Sequence, residues 1–189
     1  MSGPVSVAGV AKLRSLARQV RSGDPDNVEA QAAVIYWPVL FAHCPRVPAP
    51  FRRAAGDRSA APPNNLLDYG YAALRAAVAR AIVSAGLLPA LGIKHMGRSN
   101  PFCLADDLME PLRPLVDRRA ISLAERGELV LDQPTKAGLL AVLTDEVLVE
   151  SQSGPLLVAV TRYVASFVRV LAGEAETLCI PEAVRSPSR

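Results

Sequence analysis

The sequence predicts an all-α fold, arranged as a single domain of about six helices. Three observations support this prediction. Ala, Leu and Val supply most of the 50% apolar residues while aromatic residues make up only 5%, a balance that favours helices over sheets. Apolar residues recur at helical spacing along most of the chain. The 189 residues are enough for one domain with a real core, and no internal repeat divides them.

The chain is predicted to begin with a linker helix over residues 1–22, in which basic residues alternate with apolar ones at helical spacing. A second helix opens the main domain, which is predicted to cover residues 23–183. Asp24 is a good N-cap and Pro25 is tolerated at the first helical position, so this helix is expected to start there. It should end near Trp37, where the following proline disturbs the backbone.

A proline-rich basic segment follows at residues 43–63, with five prolines and four arginines. A segment of this composition is predicted to be a mobile surface loop. Asn64 or Asn65 is then expected to cap a third helix that stops at Gly86. One face of this helix carries an apolar stripe made of Leu67, Tyr71, Leu74, Val78 and Ile82.

The remaining predicted elements lie in the C-terminal half. A long helix is predicted over residues 102–126, with bending at Pro111 and Pro114. Two more helices are expected to close the domain after a short extended connection, and the last residues are expected to be disordered. These elements are the connection at 127–133, the helices at 136–149 and 155–173, and the tail at 184–189.

Charge, cysteine content and hydropathy limit the class of protein. The net charge of +3 and the pI near 9.0 would assist contact with a polyanion without demanding it. Three scattered cysteines are too few for a disulfide framework and indicate a reducing compartment. No apolar run approaches the roughly 18 residues of a membrane span, and no signal peptide is recognisable. The sequence therefore predicts a cytoplasmic protein with no membrane partner.

The segment 92–117 contains the most informative side chains. His95 lies in a basic turn with Lys94 and Arg98, and a helix with clustered acids follows it. Imidazole nitrogen and carboxylate oxygen together are typical ligands of divalent metals, and the cations suit a phosphate-bearing substrate. The alternative is a surface or hydrogen-bonded histidine, which is the more frequent role of a lone histidine in a glycine-containing turn.

Three acids project from adjacent parts of that helix, because Asp106 and Asp107 lie four and three residues before Glu110. Such a cluster is ordinarily a solvated face. Three negative charges within one turn nevertheless repel one another unless a cation offsets them. The acids therefore either face solvent or contribute ligands to a metal.

Glu29 lies on the same helical face as Ala32 and Tyr36, where a carboxylate needs a cation, a donor or a metal. The alternative is an exposed glutamate that favours the helix dipole from the first turn. Together with the His95 imidazole, two carboxylates from separate helices would suit Mg²⁺ or Mn²⁺. Zinc fits less well, because no cysteine lies at ligand spacing.

Four segments also carry a family resemblance. They are SGDPDNVEAQAAVIYWPVLF, PPNNLLDYGYAALRAAVARAIVSAGLLPALGIKH, NPFCLADDLMEPLRPLVD and GPLLVAVTRYVASFVRVLAGEAETLCIPE. In this order they resemble the Cas1 family of CRISPR-associated endonucleases and integrases, in the variant found in type II systems. The resemblance implies a helical catalytic lobe that binds Mg²⁺ or Mn²⁺ through Glu29, His95 and Glu110. Asp107 matches an accompanying acid that would orient the site or hold a second metal water.

The resemblance also implies a set of DNA contacts. Lys94 and Arg98 would contact phosphates of the DNA backbone. Asn64, Asn65 and Tyr71 would support the site or approach the DNA backbone. These five residues are the predicted DNA-binding residues of the chain.

The activity implied by the resemblance is capture of short foreign DNA and its insertion as a spacer into a CRISPR array. The bond would form by attack of a 3′-hydroxyl on the repeat phosphodiester. Members of the family act as homodimers bridged by the small Cas2 subunit. They also carry an N-terminal β-rich domain, which this chain is expected to lack because it starts almost at the linker helix.

Two other functions stay open at the level of the sequence. One is a truncated, catalytically silent DNA-binding or assembly remnant of the same family, whose helices fold without productive dimerisation. The other is a helical metal protein unrelated to nucleic acid. Metal-dependent cleavage or strand transfer would separate the enzyme from both.

Overall fold

The computed structural model describes residues 7–21, 23–57 and 59–184 of the chain. Over these ranges it contains seven α-helices, two short 3₁₀ turns and one small sheet, so the all-α prediction is approximately right but did not include the sheet. The helices are α1 Val7–Ala17, α2 Val28–Leu40, α3 Asn64–Ser84, α4 Cys103–Met109, α5 Arg113–Glu125, α6 Gln133–Leu140 and α7 Leu156–Leu171. The 3₁₀ turns are Glu110–Leu112 and Ala141–Thr144, and the strands are β1 Glu146–Val149, β2 Gln152–Pro155 and β3 Glu182–Ala183.

The start of α2 differs from the prediction, since the N-cap position is Asn27 rather than Asp24, although the Asp24 side chain does bind amides of the first turn. The helix begins at Val28 rather than at Pro25. Asp24 has a positive φ of 44° and caps the first turn from outside the helix. Its carboxylate accepts the backbone N–H of Val28 at 2.8 Å and that of Glu29 at 3.0 Å. The predicted linker helix is shorter than 1–22, and its first six residues lie outside the described ranges.

The predicted end of α2 at Trp37 is wrong, since the helix continues through Pro38 to Leu40. Proline removes one backbone N–H and crowds the preceding turn. The last turn nevertheless closes, because the N–H of Phe41 donates to the carbonyl oxygen of Trp37 at 3.4 Å. The helix therefore extends less than one turn past its proline.

In its described residues, 43–57 and 59–63, the proline-rich segment has no helix or strand, as expected of a loop, but it is not entirely at the surface. Cys44, Val47 and Phe51 are buried in the core. The ring of Phe51 packs edge-on against Phe41, with 4.7 Å between the ring centroids. Apolar side chains spaced through a proline-rich sequence have thus anchored it to the helices. The mobility of the segment stays a prediction.

Helix α3 forms the centre of the core and packs against α4, α5, α6 and α7. The predicted apolar stripe is confirmed, because all of its members are buried. Each fully buried Leu or Ile contributes about 1.5–3 kcal/mol relative to an exposed position. Gly70 allows the close approach of α5, since a Cβ there would lie 2.5 Å from the Cγ1 of Val116. The core therefore positions α3 and α5 as one rigid layer.

The long helix predicted over 102–126 is present but broken, as its prolines indicate. α4 ends at Met109, a 3₁₀ turn covers Glu110–Leu112, and α5 starts at Arg113. Pro111 cannot donate an N–H to the preceding turn, so regular α-helical bonding is interrupted there. The break places Glu110 at the junction of the two helices.

The helix predicted over 136–149 is wrong in its second half. α6 starts earlier, where the carboxylate of Asp132 accepts the N–H of Thr135 at 2.9 Å, and it ends at Leu140. β1 then occupies 146–149, with Val147 and Val149 buried and Glu146 and Leu148 exposed. This alternation has the period of a strand, and β-branched valine suits it.

The small sheet has the order β2-β1-β3 and is antiparallel throughout. Glu150 and Ser151 both have positive φ values, which close the tight hairpin between β1 and β2. β3 joins from the C-terminal segment and pairs Glu182 with Leu148. α7 follows β2 and confirms the last predicted helix within its predicted range. The tail predicted to be disordered lies, after Val184, outside the described residues.

None of the helices in the described ranges is both long and apolar enough to cross a membrane.

Candidate functional site

The three predicted metal ligands lie around two adjoining hollows on one side of the domain. Glu29 comes from the first turn of α2, His95 from the loop before α4, and Glu110 from the break between α4 and α5. Glu29 and Glu110 line one hollow of about 380 Å³. His95 and Glu110 line the other, of about 360 Å³. Glu110 therefore stands between the two predicted partners.

Asp107 organises the turn that carries His95. Its side chain is only 8% exposed and accepts backbone N–H groups from Ile93 at 2.5 Å, Lys94 at 3.0 Å and His95 at 3.2 Å. The same carboxylate binds the Nδ1 atom of the His95 ring at 2.6 Å. Burial opposes the charged form, but the hydrogen bonds from the ring and the three amides hold the pKa of Asp107 below its ordinary value. A fixed, ionised carboxylate thus fixes the imidazole.

This contact decides which ring nitrogen is available to a ligand. Nδ1 of His95 is engaged by Asp107, whereas Nε2 has no hydrogen-bond partner within the described ranges. An acid that binds the far nitrogen of a metal-binding histidine is a common second partner in metal sites, where it sets the orientation of the ring. The pair therefore has the geometry expected of a pre-oriented metal ligand.

Gly92 permits the tight approach of this turn to α4. A Cβ on Gly92 would lie 2.2 Å from the backbone oxygen of His95 and 2.9 Å from the Oδ2 of Asp107. No side chain fits there without displacing the backbone of the turn. The sequence predicted only that Gly92 lies in a turn. Residue spacing does not show that this turn packs closely against Asp107 of α4.

Glu29 forms an exposed ion pair with Lys94. Its Oε2 lies 2.5 Å from the Nζ of Lys94, and the two side chains are 62% and 59% exposed. The hydrogen bond that Lys94 donates to Glu29 is the main cause that raises the pKa of Lys94. Glu29 is thus an exposed first-turn glutamate, as the alternative interpretation held, and it also borders the hollow that contains Glu110.

Glu110 also has a cation as its neighbour. Its Oε1 accepts from the Nη1 of Arg113 at 2.7 Å. The guanidinium of Arg113 lies over the ring of Tyr71, 4.3 Å from its centroid. Glu110 is therefore attached, through Arg113, to an aromatic side chain of α3.

The three clustered acids each have a separate positive or imidazole partner, as the repulsion argument requires. Asp106 pairs with the Nε of Arg75 at 2.8 Å and accepts from Asn100 at 2.7 Å. The guanidinium of Arg75 also lies over the ring of Phe102, 4.7 Å from its centroid. Asp106 is consequently occupied in fixing the loop before α4, while Asp107 faces His95.

A divalent cation suits the chemistry of these donors but not their present arrangement. Within the described residues, no group of three or more His, Cys, Asp or Glu side chains is gathered closely enough to hold a metal ion. Both glutamates instead point at cations, Lys94 and Arg113. Exposed ion pairs contribute only about 0–1 kcal/mol each. Glu29 can therefore exchange Lys94 for a metal at little loss of folding free energy, and Glu110, whose pair with Arg113 is partly buried, at a somewhat larger loss.

The predicted DNA contacts fall into an exposed and an interior group. Lys94 and Arg98 are exposed beside His95, and the Arg98 side chain has no partner among the described residues. Asn64 is only 3% exposed. Its Oδ1 accepts from the N–H of Ala54 at 2.8 Å and from Arg53 at 3.0 Å, so it ties the proline-rich segment to α3.

Asn65 and Tyr71 are likewise engaged inside the protein. The Nδ2 of Asn65 donates to the carbonyl oxygen of Leu129 at 3.0 Å. Tyr71 is buried, and its hydroxyl donates to Asp117. Both residues, with Asn64, hold the scaffold of the site rather than a surface that faces solvent.

Sequence reasoning missed a group of arginines and a buried acid next to the site. Arg53, Arg75 and Arg113 line the hollow that contains His95 and Glu110. Each forms an ion pair with an acid of the same hollow, Arg53 with Asp68, Arg75 with Asp106 and Arg113 with Glu110. Their spacing gave no signal, since they come from the proline-rich segment, α3 and α5.

The missed acid is Asp117, which is 4% exposed and lies below the hollow shared by Glu29 and Glu110. Tyr36 donates its hydroxyl proton to Asp117 at 2.5 Å, and Tyr71 donates to the other carboxylate oxygen. Burial is the main cause that raises the pKa of Asp117 and the pKa values of both tyrosines. Helical spacing placed Tyr36 on the same helical face as Glu29. No sequence pattern indicated that its partner would be Asp117, 81 residues further along the chain.

Comparison with known proteins agrees with the resemblance. A family model described as CRISPR associated protein Cas1 matches residues 9–149. The CRISPR-associated endonuclease Cas1 of Neisseria meningitidis serogroup C is 44% identical over 174 residues, which cover 90% of this chain and 54% of that protein. A CRISPR-associated endonuclease Cas1 of Saccharolobus solfataricus is 36% identical over 130 residues, which cover 66% of this chain and 36% of the relative.

A solved structure has the same fold. It is a casposase bound to integration product, which superposes with a TM-score of 0.74 at 24% identity, over 95% of this chain and 57% of that one. The chain spans about half the length, or less, of the relatives that it matches. Because the family model covers most of the described helices, including all three candidate ligands, the chain belongs to the Cas1 family.

Proposed function

We propose that this chain carries the catalytic lobe of a divalent-metal-dependent DNA endonuclease and integrase that inserts captured foreign DNA into a CRISPR array. The observation that carries the proposal is the grouping of Glu29, His95 and Glu110 around two adjoining hollows, with Nδ1 of His95 held by Asp107 and Nε2 without a hydrogen-bond partner among the described residues. Relatives named as endonucleases and a casposase of the same fold, bound to integration product, support the reaction class.

Glu29, His95 and Glu110 would hold Mg²⁺ or Mn²⁺, because two carboxylates and one imidazole leave several positions for water and substrate oxygens. Bound there, the ion would polarise the phosphate under attack and stabilise the leaving oxygen. Asp107 keeps the imidazole in place through its contact with Nδ1. Lys94, released from Glu29, would turn to the DNA.

DNA would approach over the basic loop and the arginine-lined hollow. Lys94 and Arg98 are exposed beside His95, and Arg75 and Arg113 line the same hollow as Glu110. Guanidinium groups match the geometry of phosphate oxygens and bind them in pairs. These cations would align the phosphodiester with the metal ligands and place the attacking 3′-hydroxyl.

The four sequence segments that resemble Cas1 proteins also support two more specific proposals. We propose that the chain is of the type II variant and that it works as a homodimer with the small Cas2 subunit. The prediction that the family's β-rich N-terminal domain is missing stays a prediction.

A second candidate function is a catalytically silent DNA-binding or assembly remnant of the family. It is favoured by the internal ion pairs, since Lys94 and Arg113 neutralise both acids of the candidate metal site. A helical metal protein unrelated to nucleic acid is the third and weakest candidate.

Cleavage and strand transfer by the purified chain test the proposal. Labelled branched and duplex DNA are incubated with the chain and Mn²⁺, and products are resolved on a denaturing gel. We expect activity that is lost in Glu29→Ala and in His95→Ala. Glu128→Ala is the matched control for Glu29→Ala, because Glu128 is also an exposed glutamate paired with a cation, Arg126, but lies outside both hollows. DNA binding without any reaction in the wild type would favour the remnant, and activity in all variants would refute the site.

A further inference from the structure

The buried carboxylate of Asp117 joins three helices beneath the candidate site. Asp117 belongs to α5, Tyr36 to α2 and Tyr71 to α3. Each carboxylate oxygen accepts one phenolic hydroxyl, Oδ2 from Tyr36 and Oδ1 from Tyr71. Charge-assisted hydrogen bonds inside a protein are short and hold their partners in one geometry. The three side chains therefore form a fixed junction, the Tyr36–Asp117–Tyr71 junction.

One arm of the junction leads to Glu29. Tyr36 lies seven residues after Glu29 on α2, so two helical turns separate them and both side chains project from the same face. Of the residues of α2, which the structure describes in full, only Val28 is buried. The side chains of Trp37 and Leu40 also pack against the core but are only partly buried, so apolar burial fixes this helix only in part. The bond from Tyr36 to Asp117 thus supplies a specific attachment between α2 and α5.

The other arm leads to Glu110. The ring of Tyr71 supports the guanidinium of Arg113 at 4.3 Å, and Arg113 binds the carboxylate of Glu110 at 2.7 Å. The hydroxyl of Tyr71 is held by Asp117, which fixes the ring that carries Arg113. Glu29, Glu110 and the junction all border the same hollow of about 380 Å³.

We infer that Asp117 is a positioning residue that sets the placement of Glu29 relative to Glu110 through the two tyrosines. It touches neither candidate ligand and is buried below them, so it acts on the site only through its partners. The inference rests on the proposed function in one respect, namely that Glu29 and Glu110 share a metal ion. The attachment of α2 by Asp117 is a separate claim and can be measured without metal.

Tyr36→Phe is the most specific variant, because it removes only the hydroxyl that donates to Asp117 and keeps the ring. Mn²⁺ affinity of the purified chain is measured by electron paramagnetic resonance of the free ion. Acrylamide quenching of Trp37 measures the attachment of α2, since Trp37 adjoins Tyr36 on this helix and is the single tryptophan of the chain. We expect weaker Mn²⁺ binding by about tenfold, the effect of one lost charge-assisted hydrogen bond, together with stronger quenching of Trp37.

Two further comparisons separate positioning from general damage. Tyr163→Phe is the matched control, because Tyr163 is buried and its hydroxyl has no hydrogen-bond partner in the part of the chain that the structure describes. It should change neither readout. Asp117→Asn keeps one acceptor and adds one donor, so it can still bind both tyrosines. We expect Asp117→Asn to retain most of the Mn²⁺ affinity and of the Trp37 protection that Asp117→Ala loses.

Quenching of Trp37 that is unchanged in both Tyr36→Phe and Asp117→Ala would overturn the attachment. Altered quenching with unchanged Mn²⁺ affinity would overturn the link to the ligands. If the wild type binds no Mn²⁺, the proposed metal site and its positioning both fail, whereas Trp37 quenching still decides whether Asp117 holds α2. A failure of the inference is thus distinguishable from a failure of the proposed function.

Discussion

The two halves of the candidate site are held in different ways. On one side, Asp107 is 8% exposed and receives the His95 ring together with three backbone amides. On the other side, Glu29 and Glu110 are 62% and 40% exposed, and each has one cationic partner. The imidazole is therefore fixed before any ligand arrives, whereas the carboxylates stay adjustable.

The physical chemistry of the two arrangements explains the difference. A buried acid with several hydrogen bonds keeps its geometry, because loss of any partner leaves a desolvated charge without compensation. An ion pair in contact with water exchanges partners easily, since water and salt screen it. The candidate site thus combines one rigid ligand, His95, with two carboxylates that can rearrange around a cation.

The largest expected effect comes from removing the rigid half. Asp107→Ala leaves the His95 ring without its orienting partner and three amides without an acceptor. Loss of such a partner lowers metal affinity by roughly 10–100-fold, and isothermal titration with Mn²⁺ measures it. Asp145→Ala is the control, because Asp145 is an ion-paired acid outside both hollows. Equal losses in both variants would contradict the special role of Asp107.

A second, smaller effect is expected from the backbone of the same half. Gly92→Ala forces a Cβ to within 2.2 Å of the His95 carbonyl oxygen, so the turn must shift. Such overpacking lowers the free energy of unfolding by about 1–3 kcal/mol, which urea denaturation measures. Gly154→Ala is the matched control, since a Cβ at Gly154 meets no atom within 4 Å. If Gly92→Ala lowers the free energy of unfolding no more than Gly154→Ala does, the turn that carries His95 is not rigid.

The smallest effect is expected from the adjustable half. Lys94→Met removes the cation that competes for Glu29 but keeps the backbone N–H that donates to Asp107. The free energy of unfolding should change by less than about 1 kcal/mol, while Mn²⁺ affinity should rise. Arg126→Met, which frees the exposed Glu128 outside both hollows, is the control for general loss of charge. Weaker Mn²⁺ binding in Lys94→Met would mean that the lysine supports the site rather than competing for it.

Local patterns in the sequence predicted the elements that local forces decide. The stripe of α3 repeats at helical spacing over five positions, and its helix is confirmed. The segment AVLTDEVLV fits helix and strand about equally well, and it forms a 3₁₀ turn followed by β1 because β2 and β3 are available to pair with it. The pairing of β1 with residues 182–183 is a long-range interaction, which no local sequence pattern indicates.

The same limit applies to the candidate site. His95, Asp107 and Glu110 lie close in the chain, so spacing and the family motif together identified them. Asp107 was expected to orient the site or to hold a second metal water, and its contact with the His95 ring is a detail that the sequence did not specify. The burial of Asn64 and the bonds of Tyr36 and Tyr71 to Asp117 depend on tertiary packing, so the sequence offered no signal for them.

The central claim is that Glu29, His95 and Glu110 bind one divalent ion. Pulsed electron paramagnetic resonance of Mn²⁺ bound to the purified chain tests it most directly, because a directly bound imidazole nitrogen modulates the electron spin echo. We predict one bound Mn²⁺ with a nitrogen coupling that disappears in His95→Gln, and weakened binding in Glu29→Gln and Glu110→Gln. A nitrogen coupling that persists in His95→Gln, or Mn²⁺ binding that none of the three substitutions weakens, would contradict the account.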